Sequence, residues 1–215
     1  MSEPALDASA RRLAKLRPRL QHVTQVDVQT IFAEGLLSTR SLLEKAGWDE
    51  RAIAGVTEQR RDDFVLVDWP SGRETRLSHQ RPIKLKMLNE CLGLTGTPIE
   101  EYFRLLANRV FLFPEDGAAA GFKGELLGAG AVDIMCIDTV KLLRAVGDRV
   151  EVSAYNSGST PRSPLPKGRD TWLEIAAFGR PFRDVKEVTV LDEVQDVESM
   201  TVQVVREYHN GNPRE

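Results

Sequence analysis

Four groups of residues, far apart in the chain, carry side chains competent for chemistry. They are His22 and Thr24 in "HVT", the pair Arg60 and Arg61 in "EQRR", Asn156 and Ser157 in "NSGST", and Glu187 in "KEVTV". A histidine can exchange a proton near neutral pH. A guanidinium is a planar donor fork that stays charged and matches phosphate or carboxylate oxygens. A carboxylate can stabilise a developing positive charge or accept a proton within hydrogen-bond reach. Each also has a structural reading: a satisfied strand histidine, a solvated arginine pair at a helix end, a turn-forming loop, and a strand glutamate facing water.

Two superficial motifs fail on context. "GELLGAGAVD" holds Gly128 and Gly130, but a strand-like run follows the glycines, whereas a dinucleotide-binding loop must follow a strand and open a helix. Ser157, Ser159 and Ser163 lack the elbow pattern of a serine hydrolase and have no histidine near them in sequence.

The elements that must position these residues follow from hydrophobic period and caps. Leu20 to Thr24 alternates as a strand, so His22 and Thr24 share one face and Gln21 and Val23 the other. A helix from about Asp27 places Val28, Ile31 and Phe32 toward the core and stops at Gly35. "STRSLLEKAG" is a second helix capped by Ser38 or Thr39, and "DERAIAGVTEQRR" a third that ends at the arginine pair. "FVLVDW" and "RETRLSH" flank the turn "PSG" as a hairpin. A helix from Pro82 to Leu94, another opened by the capping box "TPIE", and the strand "RVFLF" come next. "AVDIMCID", the helix "TVKLLRAV" capped by Asp138, and "RVEVSAYN" lead into a long irregular stretch from Asn156 to Lys186. "EVTVLDEV" and "SMTVQVVREY" close the chain as two extended runs able to pair. In "EVTV", Glu187 and Thr189 face one way while Val188 and Val190 face the core. The pattern is a single α+β domain with a helical N-terminal region and a central antiparallel or mixed sheet. A basic segment, 1–19, precedes it and reads as a solvated helical turn; the domain spans 20–208, and 209–215 is a polar tail.

The set "HVTQVD", "EQRR", "RVFLF" and "KEVTV" with "MTVQVV", in this order and spacing, resembles the DNA ADP-ribosyltransferase toxins of the DarT type. Over nearly its full length the chain also resembles, through "GLLST", "RVFLF", "NSGST" and "GRDT", a bacterial family described only as a domain of unknown function. The toxin resemblance implies an ADP-ribosyltransferase-like fold and NAD as cofactor. It places His22, with Thr24 beside it, against the cofactor, assigns Arg61 and Glu187 to catalysis, and leaves Arg60 as an alternative to Arg61. It implies a DNA or RNA base as acceptor, with Asn156, Ser157, Arg169 and Arg183 in the target-presenting loop, where Arg162, Lys167 and Arg180 add further positive charge. It also raises an antitoxin as a partner. The chain departs from the toxins after "RVFLF", where "PEDGAAAGF" is acidic instead of basic, and "NSGSTPRSPLPKGRD" has no counterpart in them. The readings left standing beside transfer are a nucleotide- or nucleic-acid-binding module without turnover, tRNA phosphotransfer to NAD, and NAD hydrolysis.

Composition bounds these expectations. The 215 residues are 41% hydrophobic, enough for a sizeable core, and the net charge of -3 does not fit a dedicated nucleic-acid-binding protein. Cys91 and Cys136 stand in apolar runs without metal-ligand spacing, so a reduced, cytoplasmic protein without a metal or membrane segment is expected.

Overall fold

A computed structural model describes residues 5–69, 72–114, 120–127 and 130–208. The turn "PSG" at Pro70 and Ser71, the acidic stretch 115–119, Gly128 and the tail 209–215 lie outside the described residues.

The chain opens with α1 (Ala8–Leu16), capped by the Asp7 carboxylate at 2.7 Å from the Ala10 N–H, and passes into β1 (Arg19–Thr24). α1 is not a solvated turn: Ala10, Leu13 and Ala14 are buried in the main core, leaving its basic residues on the outer side. Next come α2 (Val28–Glu34), β2 (Leu36–Leu37) and α3 (Thr39–Lys45). Asp27 and Ser38 cap these helices as expected. α2 stops at Gly35, whose φ of 88° suits glycine, and a Cβ there would lie 2.6 Å from the Val194 carbonyl oxygen.

α4 (Glu50–Thr57) ends before the arginine pair, so Arg60 and Arg61 sit in the following loop and not on a helix end. The hairpin of β3 (Val65–Asp68) and β4 (Glu74–Leu77) forms as expected. α5 (Leu85–Gly93) and α6 (Ile99–Ala107) follow. The capping box "TPIE" does not form: Pro98 is the N-cap residue without a side-chain cap, while the Thr97 hydroxyl meets that of Thr95 at 3.0 Å. β5 (Arg109–Pro114), α7 (Ala120–Leu127), β6 (Val132–Asp138), α8 (Thr139–Val146) and β7 (Val150–Ser153) complete the middle of the chain. The stretch after Asn156 is less irregular than its composition predicts. It contains β8 (Leu173–Glu174) and three single 3-10 turns. The last elements are β9 (Glu187–Leu191), β10 (Glu193–Val194), α9 (Val197–Met200) and β11 (Thr201–Glu207).

The main sheet runs β11-β6-β1-β5-β9-β7-β8, with every pairing antiparallel. "EVTVLDEV" and "SMTVQVVREY" therefore do not pair. β9 lies between β5 and β7, while β11 forms the opposite edge against β6. Alternation fixes which face a residue takes but not which strand is its neighbour, so two apolar runs close in sequence need not meet. Val188 and Val190 pack in the main core with Val110, Leu112, Val150 and Val152. A second cluster of Leu88, Leu92, Tyr102, Phe103, Leu106 and Trp172 covers the other face of this half. The fold is thus α+β around an antiparallel sheet.

Candidate functional site

The sheet parts in the middle. β1 pairs with β6 along its whole length, whereas β1 and β5 pair only through Leu20 with Pro114 and Gln21 with Phe113. Beyond that point, the His22 ring reaches across, Nδ1 standing 3.0 Å from the Phe111 carbonyl oxygen. A carbonyl can only accept, so Nδ1 carries the proton and Nε2 is left as an acceptor. Burial holds His22 below its ordinary pKa and therefore neutral at pH 7.

A cleft of about 440 Å³ opens at this parting, within the range of small-molecule sites. His22 and Thr24 line it from β1, Arg61 and Ser78 to Gln80 from one wall, Asn156, Gly158 and Ser159 from another, and Glu187 from β9. Thr24 is buried, and its hydroxyl accepts the Val26 N–H at 2.9 Å, closing the turn after β1.

Arg61 is fixed without being neutralised. Its Nε donates to the Ser78 carbonyl at 3.0 Å, its N–H donates to Gln80 Oε1 at 3.0 Å, and its own carbonyl accepts the Gln80 N–H. Among the described residues no carboxylate pairs with it, and burial pulls its pKa down to about 10. Its neighbour Arg60 turns away, donating to the Ile83 carbonyl at 2.9 Å and pairing with Asp62. Arg109 also lines the cleft, but Glu151 neutralises it at 2.6 Å and its guanidinium stacks on Trp172.

Glu187, 1% exposed, stands at the inner end of the cleft. Its two oxygens accept the Ser157 N–H at 2.8 Å and the Ser157 hydroxyl at 2.6 Å. Burial raises its pKa to about 7, against the pull of Ser157 and of the Lys167 charge. The Trp172 indole N–H exerts a weak pull in the same sense without a hydrogen bond of normal geometry. Lys167 departs from the expectation of a surface charge. It does not offer its ammonium to phosphates but is buried, its Nζ donating to the carbonyls of Asn156 at 3.1 Å, Ser157 at 3.2 Å and Ser159 at 2.5 Å. Burial lowers its pKa to about 8, opposed by Glu187. The Tyr102 hydroxyl adds a bond to the Ser157 carbonyl at 3.1 Å.

The structure thus brings His22, Thr24, Arg61, Asn156 and Glu187 to one cleft. Ser157 lies beneath it as the partner of Glu187, and Arg60 points elsewhere. Arg169, paired with Glu101, and Arg183, beside Asp184, are exposed and do not line it. Arg162 and Arg180 are exposed as well. Sequence reasoning named Lys167 only as a surface charge of the loop and did not single out Tyr102 or Trp172. The sole local sign was Gly168, where any side chain would collide with the Thr95 and Thr97 hydroxyls, so the backbone beside Lys167 is pressed into the interior.

Fold and site together define an α+β domain whose antiparallel sheet parts around a cleft of mixed lining, with apolar side chains such as Ile83, Leu106 and Phe113 beside the polar ones. The chain belongs to a family of unknown function (DUF7002), whose model matches residues 18–201. No curated protein and no solved structure matches it significantly. Among the described residues no helix is long and apolar enough to cross a membrane.

Proposed function

We propose that the cleft binds NAD and that the protein transfers ADP-ribose from it to a nucleic-acid acceptor. The observation that carries the reading is the meeting of His22, Arg61 and Glu187 in one cleft, from segments as much as 165 residues apart, with Arg61 lacking a carboxylate partner among the described residues. A half-buried guanidinium without a carboxylate partner is a ready seat for an anionic ligand. NAD would supply an ADP-ribosyl group whose bond to nicotinamide breaks with positive charge developing on the ribose. Arg61 donates to the diphosphate, and His22 offers Nε2 to a hydroxyl. Glu187, once ionised, is the carboxylate that stabilises the charge and receives the acceptor's proton. The exposed Arg162, Arg180 and Arg183 supply positive surface for a phosphate backbone.

One observation favours a second reading, a nucleotide-binding module without turnover. Both Glu187 oxygens are already held by Ser157, as in a carboxylate that anchors a loop. Incubation of the full chain with NAD labelled in the adenylate half, alone and with DNA or RNA, separates the two. Transfer predicts nicotinamide release and label on one nucleic acid. Binding without release supports the module, and label on neither with free ADP-ribose accumulating indicates hydrolysis.

A further inference from the structure

We infer that the Asn156–Ser159 turn and Arg61 form a cradle for the phosphate groups of a nucleotide diphosphate, with Lys167 as the positioning residue that shapes it. The turn is held on both sides of the Asn156–Ser157 peptide plane, by Lys167 on one and Glu187 on the other. Lys167 Nζ takes the carbonyls of Asn156, Ser157 and Ser159, Tyr102 shares that of Ser157, and Glu187 takes the Ser157 N–H and hydroxyl. In a trans peptide the N–H points opposite to the carbonyl of the same plane, and the described residues contain no cis bonds. With the Ser157 carbonyl drawn inward to Lys167, the Gly158 N–H is turned outward, away from the buried ammonium. Gly158 is exposed and lines the cleft, and neither its N–H nor that of Ser159 has a hydrogen-bond partner among the described residues. The Asn156 amide and Ser159 hydroxyl likewise make no side-chain hydrogen bond there, so donors accumulate on this wall.

The facing wall is tied to the turn. Thr160, next in the chain, accepts the Lys84 N–H at 3.2 Å and donates to the Pro82 carbonyl at 3.4 Å. The same segment holds Arg61 through Ser78 and Gln80. Of the described residues lining the cleft, Glu187 is the one carboxylate, and its oxygens are directed at Ser157. A backbone N–H turned outward at Gly158, with an unneutralised guanidinium lining the same cleft, selects an anion with several oxygens. The spread of donors across two walls suits a diphosphate better than a single carboxylate.

The cradle deepens the NAD reading by placing the cofactor's diphosphate, but it does not depend on turnover. Backbone amide spectra of the wild-type chain, titrated with inorganic pyrophosphate and separately with adenosine, test it. Pyrophosphate should move the Gly158 and Ser159 amide signals, adenosine should move them much less, and Arg61→Gln should weaken pyrophosphate binding by roughly tenfold or more. Lys167→Met should weaken it similarly; if that variant does not fold, the wild-type spectra and Arg61→Gln decide. Unmoved Gly158 and Ser159 signals at saturating pyrophosphate, or no binding, overturn the cradle even if NAD is cleaved. Movement of these signals without any NAD cleavage leaves the cradle standing and removes the transfer reading.

Discussion

Ser157 spends both its N–H and its hydroxyl on Glu187, thirty residues later, so that one carboxylate orders the turn above it and is in turn held by it. Removing the hydroxyl should strand one carboxylate oxygen in a buried site. Ser157→Ala is expected to cost about 1–3 kcal/mol of stability, read from denaturant unfolding. It should also raise the Glu187 pKa further, since the hydroxyl is one of the groups pulling it down. A stability change within about 0.5 kcal/mol, the spread of an ordinary surface substitution, would mean that the pair is not formed.

The raised pKa of Glu187 sets a pH dependence. The folded state holds this proton up to about pH 7, whereas the unfolded chain releases it near 4.5. Stability contributed by the group is present at low pH and is lost as pH rises from about 4.5 to 7, by something on the order of 3 kcal/mol. Lys167 acts in the opposite sense higher up, because relief of its buried charge adds stability between about pH 8 and 10.5. Melting curves of wild type and Glu187→Gln across pH 4.5–8 should converge or cross over the lower window. Parallel curves would place Glu187 in a solvated site.

Arg61 and fold stability should part company. Arg61→Gln removes a half-buried charge that no carboxylate among the described residues neutralises, while its loss of one bond to Ser78 is modest. The melting temperature should stay level or rise while affinity for NAD falls roughly tenfold to a hundredfold. A large drop in melting temperature with unchanged affinity would make Arg61 a structural residue.

Much of the local fold was legible. Asp27 and Gly35 bound α2, Ser38 caps α3, and the alternation in "EVTV" sends the valines to the core and Glu187 to the other side, each set by residue chemistry within one element. What was not legible depends on neighbours. Nothing in β1 announces that it follows β6 throughout and leaves β5 after Gln21, yet that parting makes the cleft. Arg60 and Arg61 are identical in type and adjacent, and only the positions of Ile83, Asp62 and Ser78 send one away and one inward. Lys167 reads as a solvated loop charge until three carbonyls are found converging on it.

The nucleic-acid surface is testable through salt. Arg183 and Arg169 are exposed, and removing one arginine that neutralises a phosphate should reduce the slope of log affinity against log salt by about one. Arg183→Ala and Arg169→Ala, titrated with single- and double-stranded DNA and RNA, are therefore expected to flatten that plot without altering NAD affinity. Unchanged slopes for both would move the acceptor surface away from this loop.

The central claim is that His22, Arg61 and Glu187 serve one cofactor cleft, and calorimetric titration of NAD into wild type, His22→Ala, Arg61→Gln and Arg169→Ala tests it most directly. The account predicts saturable one-to-one binding by wild type, retained in Arg169→Ala and weakened roughly tenfold or more in the other two variants. Absence of NAD binding by the wild-type chain, or equal affinity in all four proteins, would contradict it.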